Sequence, residues 1–548
     1  MKKFLKKTII FVLAVVTLAF MGCGRVPSDN SDPISDGKTV NVKISKAGYG
    51  TTYIYKLADR FNELYKEEGY KINVLYPQTI SDSVVVQDIY DDKGIDLYFV
   101  GGSVEKGVAG DYGHCYADIT DLVFNQKPIR FDGTEEDTTV AAKIENLYYD
   151  TTYEGRYYAL PYAFNVEGMC VNVRVLKQYG KSVPRTTNEL FDCVETIMKS
   201  AAATDIFPVT YSLSSNNYPY IWVEMWLAQY MGYDGLTEFW TMQKDGKNLE
   251  KPYEVFALDG IEEAFTEYYR FMDYNTAAFG SSTQTFKESQ NQFMQGDAVF
   301  YASGDWTYNE EKIRNKNKME DVICTRVPVA SSLAVKFFGG NTAYGLSDEK
   351  CEEVLVRIID GLDAGKTADV ITAEINSALS LALAEKDVEE ICRRASYVAS
   401  VSFQATSIIS EKSEVKDIAA LFLRMVASDD GAKVMTEEMM CSNPFDLTAI
   451  KDLDSSWHRA VAKVVCNPYM KQIPQMATGY RRQLGITRWS PYTGDRLHDK
   501  VLDSQFSIYD NNTYEMIGDK AEYARLAKEL SEQIYDNAKK QWESGIWG

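Results

Sequence analysis

Histidine is nearly absent from this chain. Only His114, His458 and His498 occur, far apart in sequence. No His/Cys cluster therefore has metal-ligand spacing, and there is no HExxH zinc motif. A GxSxG nucleophile elbow, a P-loop and an EF-hand loop are also missing. Gly48-Tyr49-Gly50 lacks the third glycine of a dinucleotide-binding turn. These absences remove the signals of the commonest metal, acyl-transfer and nucleotide chemistries, so no metal site, no cofactor and no enzyme activity is expected. Basic charge is scarce too. The chain carries 58 Lys and Arg against 79 Asp and Glu, a net charge of −21. Such a surface repels nucleic acid and anionic lipid, and it favours a neutral ligand. None of the nine cysteines forms a CxxC pair. Several lie in apolar runs such as Gly168-Met169-Cys170-Val171, where a small buried hydrophobe is the expected role, and any disulfide connectivity stays open.

What is present begins at the N-terminus. Lys2, Lys3, Lys6 and Lys7 precede an uncharged run over residues 8–22, and Leu18-Ala19-Phe20-Met21-Gly22-Cys23 closes it. That is the layout of a bacterial secretory signal. Gly22-Cys23 resembles a lipobox, where the signal is cut and Cys23 becomes the lipidated N-terminus; Phe20 stands where the usual pattern has Leu. The alternative is a retained anchor, but 15 uncharged residues fall short of the roughly 20 that a span needs. Residues 1–22 are thus read as a signal peptide. Residues 23–38, polar and rich in Ser, Asp, Pro and Gly, are read as the lipidated cysteine and a flexible tether. The expected location is the outer face of the cell membrane, with lipid as the only membrane contact.

Composition is otherwise that of a globular protein, 45% hydrophobic and 25% charged over 548 residues, enough for two to four domains. Val40, Val42 and Ile44 alternate as in a strand with one face buried. Ile54, Leu57, Phe61 and Leu64 recur at helical spacing, and the helix closes near Gly69. Ile72, Val74 and Tyr76 predict a second strand and residues 96–100 a third, a strand-helix-strand order that gives a parallel sheet. A second α/β unit follows. It has a strand over 168–173, a helix opened by Thr186 and Glu189 at capping-box spacing, and a strand over 298–302 after Gln295-Gly296. Residues 348–411 change to Ala-rich, charged, helical periodicity. Residues 413–428 and 519–543 are helical as well.

Three short motifs then carry a resemblance. Tyr158-Ala159-Leu160-Pro161, Phe293-Met294-Gln295-Gly296-Asp297-Ala298 and Gly304-Asp305-Trp306, together with the lipobox start, resemble extracellular solute-binding proteins of bacterial ABC importers. The similarity is greatest to the sugar-binding branch that includes maltose-binding protein. The landmarks run from about residue 40 to 445 and include Asp429-Asp430-Gly431-Ala432-Lys433. The resemblance implies an α/β, two-lobed, periplasmic-binding-protein-like fold of type II. Two open α/β lobes would be joined by crossing strands, with a ligand cleft between them and extra C-terminal helices. Lobe 1 would hold 39–160 and 330–445, with a helical insertion over about 348–411; lobe 2 would hold 161–329 and 446–548. The chain would cross first near 160–166 and return near 327–329.

The same resemblance implies a monomeric receptor that captures a carbohydrate, an oligosaccharide, and presents it to ABC permease subunits. Abundant aromatics, 37 Tyr, 24 Phe and 8 Trp, suit a saccharide, whose flat C–H faces stack on rings while its hydroxyls need polar side chains. Trp306 matches the family's tryptophan and, with Asp305, ends a strand where open α/β sheets bind ligands. Tyr220 belongs to a second aromatic group with Trp222 and Trp226; the last two, four residues apart, suit core packing equally well. Tyr49, Asp96, Ser103, Glu167 and Asn341 complete the expected contacts. Against these stand a structural role for Asp96 and loop scaffolding for Asn341. A surface-attached polysaccharide hydrolase, a ligand-sensing lobe for a membrane kinase, and amino-acid or peptide ligands stay open as alternatives.

Overall fold

Two sheets organise the chain. In sequence order their strands are β1 (Thr39–Ile44), β2 (Lys71–Val74), β3 (Leu97–Phe99), β4 (Leu160–Pro161), β5 (Glu167–Asn172), β6 (Phe207–Thr210), β7 (Ala298–Gly304), β8 (Val322–Thr325) and β9 (Thr406–Ile409). The structure is a computed structural model. It describes residues 32–547 apart from 46–47, 76, 78–79, 102, 148, 214–217, 401–404, 476 and 487–502. The expected signal peptide, Cys23 and the tether as far as residue 31 lie outside the described residues.

The first sheet has the order β2-β1-β3-β9-β4. β1 runs parallel to both neighbours, with Val42 opposite Val74 and Leu97. Antiparallel β9 sets Ser407 between Phe99 and Leu160. Val40, Val42 and Ile44 are fully buried, as a central parallel strand requires. Helix Thr52–Leu64 buries Tyr53, Ile54, Leu57 and Phe61 in the same core. In the second sheet, β8-β5-β7-β6, β5 lies antiparallel to β8 and β7, and β6 parallel to β7. Helix Thr187–Thr204 starts where expected: Thr186 Oγ1 accepts from Glu189 N at 3.2 Å. The Glu189 carboxylate, however, serves Arg185 N at 2.8 Å instead of closing a capping box. A complete box opens helix Phe286–Gln295, which Gly296 ends at φ 92°, so β7 begins at a fixed point.

The return of the chain differs from the expectation. Residues 327–329 do not cross to the first lobe: Val329 N donates to Arg185 O at 2.9 Å, and Trp226 Nε1 donates to Pro328 O at 3.0 Å. Helices Ser331–Phe338, Asp348–Asp363, Ala368–Leu379 and Glu385–Ala395 bury Leu333, Val354, Ile371 and Ile391 in the second lobe's core, together with Trp222. The helical block therefore belongs to the second lobe and stops at Ala395. The expected insertion ran past it into β9, whose short, wholly buried Thr-Ser-Ile-Ile run has no alternation to set it apart from a helix segment. A further crossing follows near 442, where Phe164 and Ser442 form an antiparallel bridge. Beyond it, Trp457 and Val461 pack with Cys170, Tyr301 and Cys324. The last helix, Ala521–Glu543, buries Leu526 and Ile534 in the second core.

Cysteine behaves as a small hydrophobe: all eight described cysteines are free, and seven of them are buried. Among the described residues, no helix is long and apolar enough to cross a membrane.

Candidate ligand cleft at the crossing segments

The first crossing, over 160–167, is hydrogen-bonded to both others. Tyr162 N donates to Ala405 O at 2.8 Å, Glu167 N to Ala399 O at 3.0 Å and Phe164 N to Ser442 O at 3.0 Å. Asn443 Nδ2 adds a bond to Tyr162 O at 3.1 Å. On one side of this three-segment hinge, β1 leads into the loop at 48–50. On the other, β7 leads into helix Thr307–Glu311. The two meet, for Asn309 Nδ2 donates to Gly48 O at 2.5 Å. The carboxyl end of β1 thus faces that of β7, the position where open α/β sheets hold ligands.

Tyr49 supplies the hinge side of the first lobe. Its hydroxyl accepts from Asn165 Nδ2, and burial beside Cys441, Tyr162 and Asp305 pushes the phenol well above its ordinary pKa. Ser103 follows β3 and caps helix Val104–Ala109, accepting from Lys106 N at 3.4 Å. Across the cleft, Trp306 is only 7% exposed. One ring face lies on Gly304, where an added Cβ would sit 2.0 Å from Cζ3. Tyr218 leans on the ring at 51°, with centroids 5.9 Å apart. The tryptophan is at the expected strand end, but it is covered rather than open.

Asp305 is wholly buried, not presented to solvent. Its N–H donates to Val166 O at 3.0 Å, while among the described residues neither carboxyl oxygen has a hydrogen-bond partner of good geometry. Burial raises its pKa well above the carboxylate range, and the nearby N–H groups of Val166 and Ser442 oppose that shift only in part. Asp305 is therefore a buried hinge group rather than an open ligand contact.

Glu167 is the crossing residue with the clearest polar role. Its Oε2 accepts from Gln475 Nε2 at 2.7 Å. The same amide reaches Glu224 Oε2 at 3.5 Å, and Gln475 Oε1 accepts from Ser400 N at 2.8 Å. One glutamine thus ties two crossings and the first turns of helix Tyr220–Thr241 together. Burial pushes Glu167 up to about 7. Burial, then the neighbouring Glu167, pushes Glu224 up to about 8. Tyr220 opens that helix, half-buried and close to Tyr268.

Two expected contacts are not brought to the cleft. Asp96 precedes β3, at the end of the sheet away from the crossings, and its carboxylate is used by Asn41 N at 2.8 Å and Ser413 Oγ at 2.7 Å. Asn341 is exposed in the turn after helix Ser331–Phe338, between Gly339 and its bridge partner Leu346. The mistaken return at 327–329 is what put Asn341 near the site. Sequence reasoning missed Asn165, Glu224 and Gln475. Glu224 did carry a signal, a lone carboxylate in the apolar run Ile221-Trp222-Val223-Glu224-Met225-Trp226; Gln475 carried none. Trp222 and Trp226 are core, fully buried, with the Trp222 Nε1 bonded to Gly168 O at 3.0 Å. Among the described residues, no group of three or more His, Cys, Asp or Glu could hold a metal.

Comparison with known proteins agrees with this geometry. The profile of the bacterial extracellular solute-binding protein family matches residues 56–345. No curated protein matches the chain. Among solved structures, a probable secreted solute-binding lipoprotein from Streptomyces coelicolor superposes with a TM-score of 0.51 at 14% identity, covering 91% of this chain and 100% of the other. An ABC transporter solute-binding protein from Thermotoga lettingae, bound with α-D-tagatose, gives 0.50 at 14% identity over 91% and 100%. The two-lobed type II fold is thereby shown.

Proposed function

We propose, for a chain that belongs to the bacterial extracellular solute-binding proteins, that it captures a carbohydrate between its lobes and hands it to an ABC permease. The family sets its place outside the cytoplasm and its work as binding. The observation that carries the finer reading is the convergence at one hinge of aromatic rings and hydroxyl-bonding groups. Trp306 and Tyr218 lie on one lobe and Tyr49 and Ser103 on the other, with Glu167, Glu224 and Gln475 near the crossings. Rings cover the apolar faces of a sugar, and carboxyl and amide groups bond its hydroxyls. The tagatose held by the Thermotoga lettingae structure directs the choice of ligand class.

Capture needs no covalent step. A ligand touching both walls gains its full contacts only when the lobes are closed, so binding shifts the population toward closure about the three crossings. Tyr218 must turn from Trp306 to free a ring face. An oligosaccharide fits the paired aromatics better than a single ring, and Cys23 would hold the receptor at the membrane through lipid.

Calorimetric titration of the secreted chain with oligosaccharides, peptides and amino acids tests this reading. Oligosaccharides should bind, raise the melting temperature with dose and be recovered without new reducing ends. Trp306→Ala should lose about 1–3 kcal/mol of binding, roughly 5- to 150-fold, while most of the stability remains. If Trp306→Ala binds sugar normally and melts far earlier, the tryptophan is core and the cleft assignment fails.

A further inference from the structure

A second concave site lies away from the crossings. β6 is the outer strand of its sheet, and residues 274–283 run along its free edge: Ala277 bridges Val209 in parallel, and Ala278 N donates to Val209 O at 2.8 Å. Between this segment and Tyr514 is a cavity of about 510 Å³, well within the size of small-ligand sites. Phe207, Tyr211, Tyr274, Phe279 and Tyr514 supply an aromatic wall.

Two features mark that wall as built for contact. Phe279 is 93% exposed, although its segment is pinned: Gln292 Nε2 donates to Phe279 O at 2.8 Å, and Ser281 Oγ to Ala278 O at 2.7 Å. A whole phenyl ring kept in water on a fixed loop forgoes burial that folding would otherwise gain. Tyr514 holds φ at 56°, a strained conformation for a bulky residue. Its ring meets Phe207 edge-on, with centroids 5.3 Å apart.

The polar lining is neutral. Among the described residues, no Asp, Glu, Lys or Arg lines the cavity; its polar side chains there are Ser, Thr, Asn and the tyrosine hydroxyls. Ser282 has no hydrogen-bond partner among the described residues, and Asn511 uses only its carbonyl, accepting from Asn275 Nδ2 at 3.0 Å. A charged ligand would find no counter-charge here, and a purely apolar one would strand the hydroxyls and amides. A ring with apolar faces and a hydroxylated edge satisfies both.

We infer that this cavity is a second carbohydrate site, which stacks a neutral saccharide ring on Phe279, Tyr274 and Tyr514 and bonds its hydroxyls through Ser282 and Asn511. It is separate from the cleft. Phe207 pairs with Ala298 at the start of β7, whereas Trp306 follows the other end of that strand, roughly 20 Å away at strand rise. The inference rests on this lining and does not require the cleft reading.

Equilibrium dialysis of the secreted chain against maltotriose and a chitin trisaccharide, extended to millimolar concentration, tests it. Two classes of site are expected, the weaker one shallow and open. The double variant Tyr274→Ala, Phe279→Ala should weaken that class about tenfold or more and leave the tighter class unchanged. Both side chains are exposed, so folding is preserved, and circular dichroism of the variant checks this. A single tight class at a stoichiometry of one, or a weak class untouched by the double variant, would overturn the second site. A weak class that persists without any tight one would support the second site and sink the cleft reading instead. Absence of all saccharide binding would overturn both.

Discussion

At the scale of single residues, Gly304 shows how a missing side chain can define a site. Its backbone is not in the left-handed region; what it lacks is room, because the Trp306 indole occupies the place of a Cβ. Gly304→Ala should push the ring from its seat, with an overpacking cost of about 1–3 kcal/mol and a loss of sugar affinity like that of Trp306→Ala. Melting and calorimetry on the same preparation check this; unchanged affinity would remove the ring's seat from the binding account. Trp222→Ala is the contrast. It empties a fully buried position and removes the indole N–H bond to Gly168 O, so it should cost about 3–5 kcal/mol of stability. Legibility at this scale followed strand direction. Trp306 and Ser103 follow strand ends, which is what singled them out in the sequence. Asp96 misled because it precedes its strand, and the side chain of a buried residue such as Asp305 cannot be oriented from sequence.

At the scale of elements, the regular pieces were readable and the return crossings were not. β1, β2, β7 and helix Thr187–Thr204 announce themselves by alternation or by a capping residue. The return strand β9 is four buried residues whose place depends on pairing with β3 and β4, which no local pattern encodes. The hinge carries a pH signature. Folded Glu167 and Glu224 keep their protons up to about 7 and 8, whereas an unfolded Glu releases its proton near 4.3. Between those values the folded chain binds more protons than the unfolded one, so these groups make stability fall as pH rises from about 5 to 8. The slope is about 1.4 kcal/mol per pH unit for each proton of difference. Glu224→Gln should flatten part of that slope and raise the melting temperature at pH 8 relative to wild type. Melting curves from pH 5 to 8.5 on both proteins decide it, and parallel slopes would show that Glu224 titrates as in water.

At the scale of the whole molecule, attachment and assembly come forward. If Cys23 is the lipidated terminus, Cys23→Ala should abolish incorporation of labelled fatty acid and release the protein from the membrane fraction. One acyl chain binds a bilayer only marginally, whereas two or more hold it. Wild-type protein found unlabelled and free in the medium would refute the anchor. The placement of β9 between β3 and β4 has a different kind of consequence, one of timing. Among the described residues, β4 has β9 as its sole sheet neighbour, and Ser407 Oγ donates to Leu160 O across 247 residues of chain. At synthesis rates of about 5–20 residues per second, β4 waits roughly 10–50 s for its partner to emerge. A strand exposed that long would invite wrong pairing. This one is two residues long, and the second is Pro161, which has no N–H to offer a stray chain.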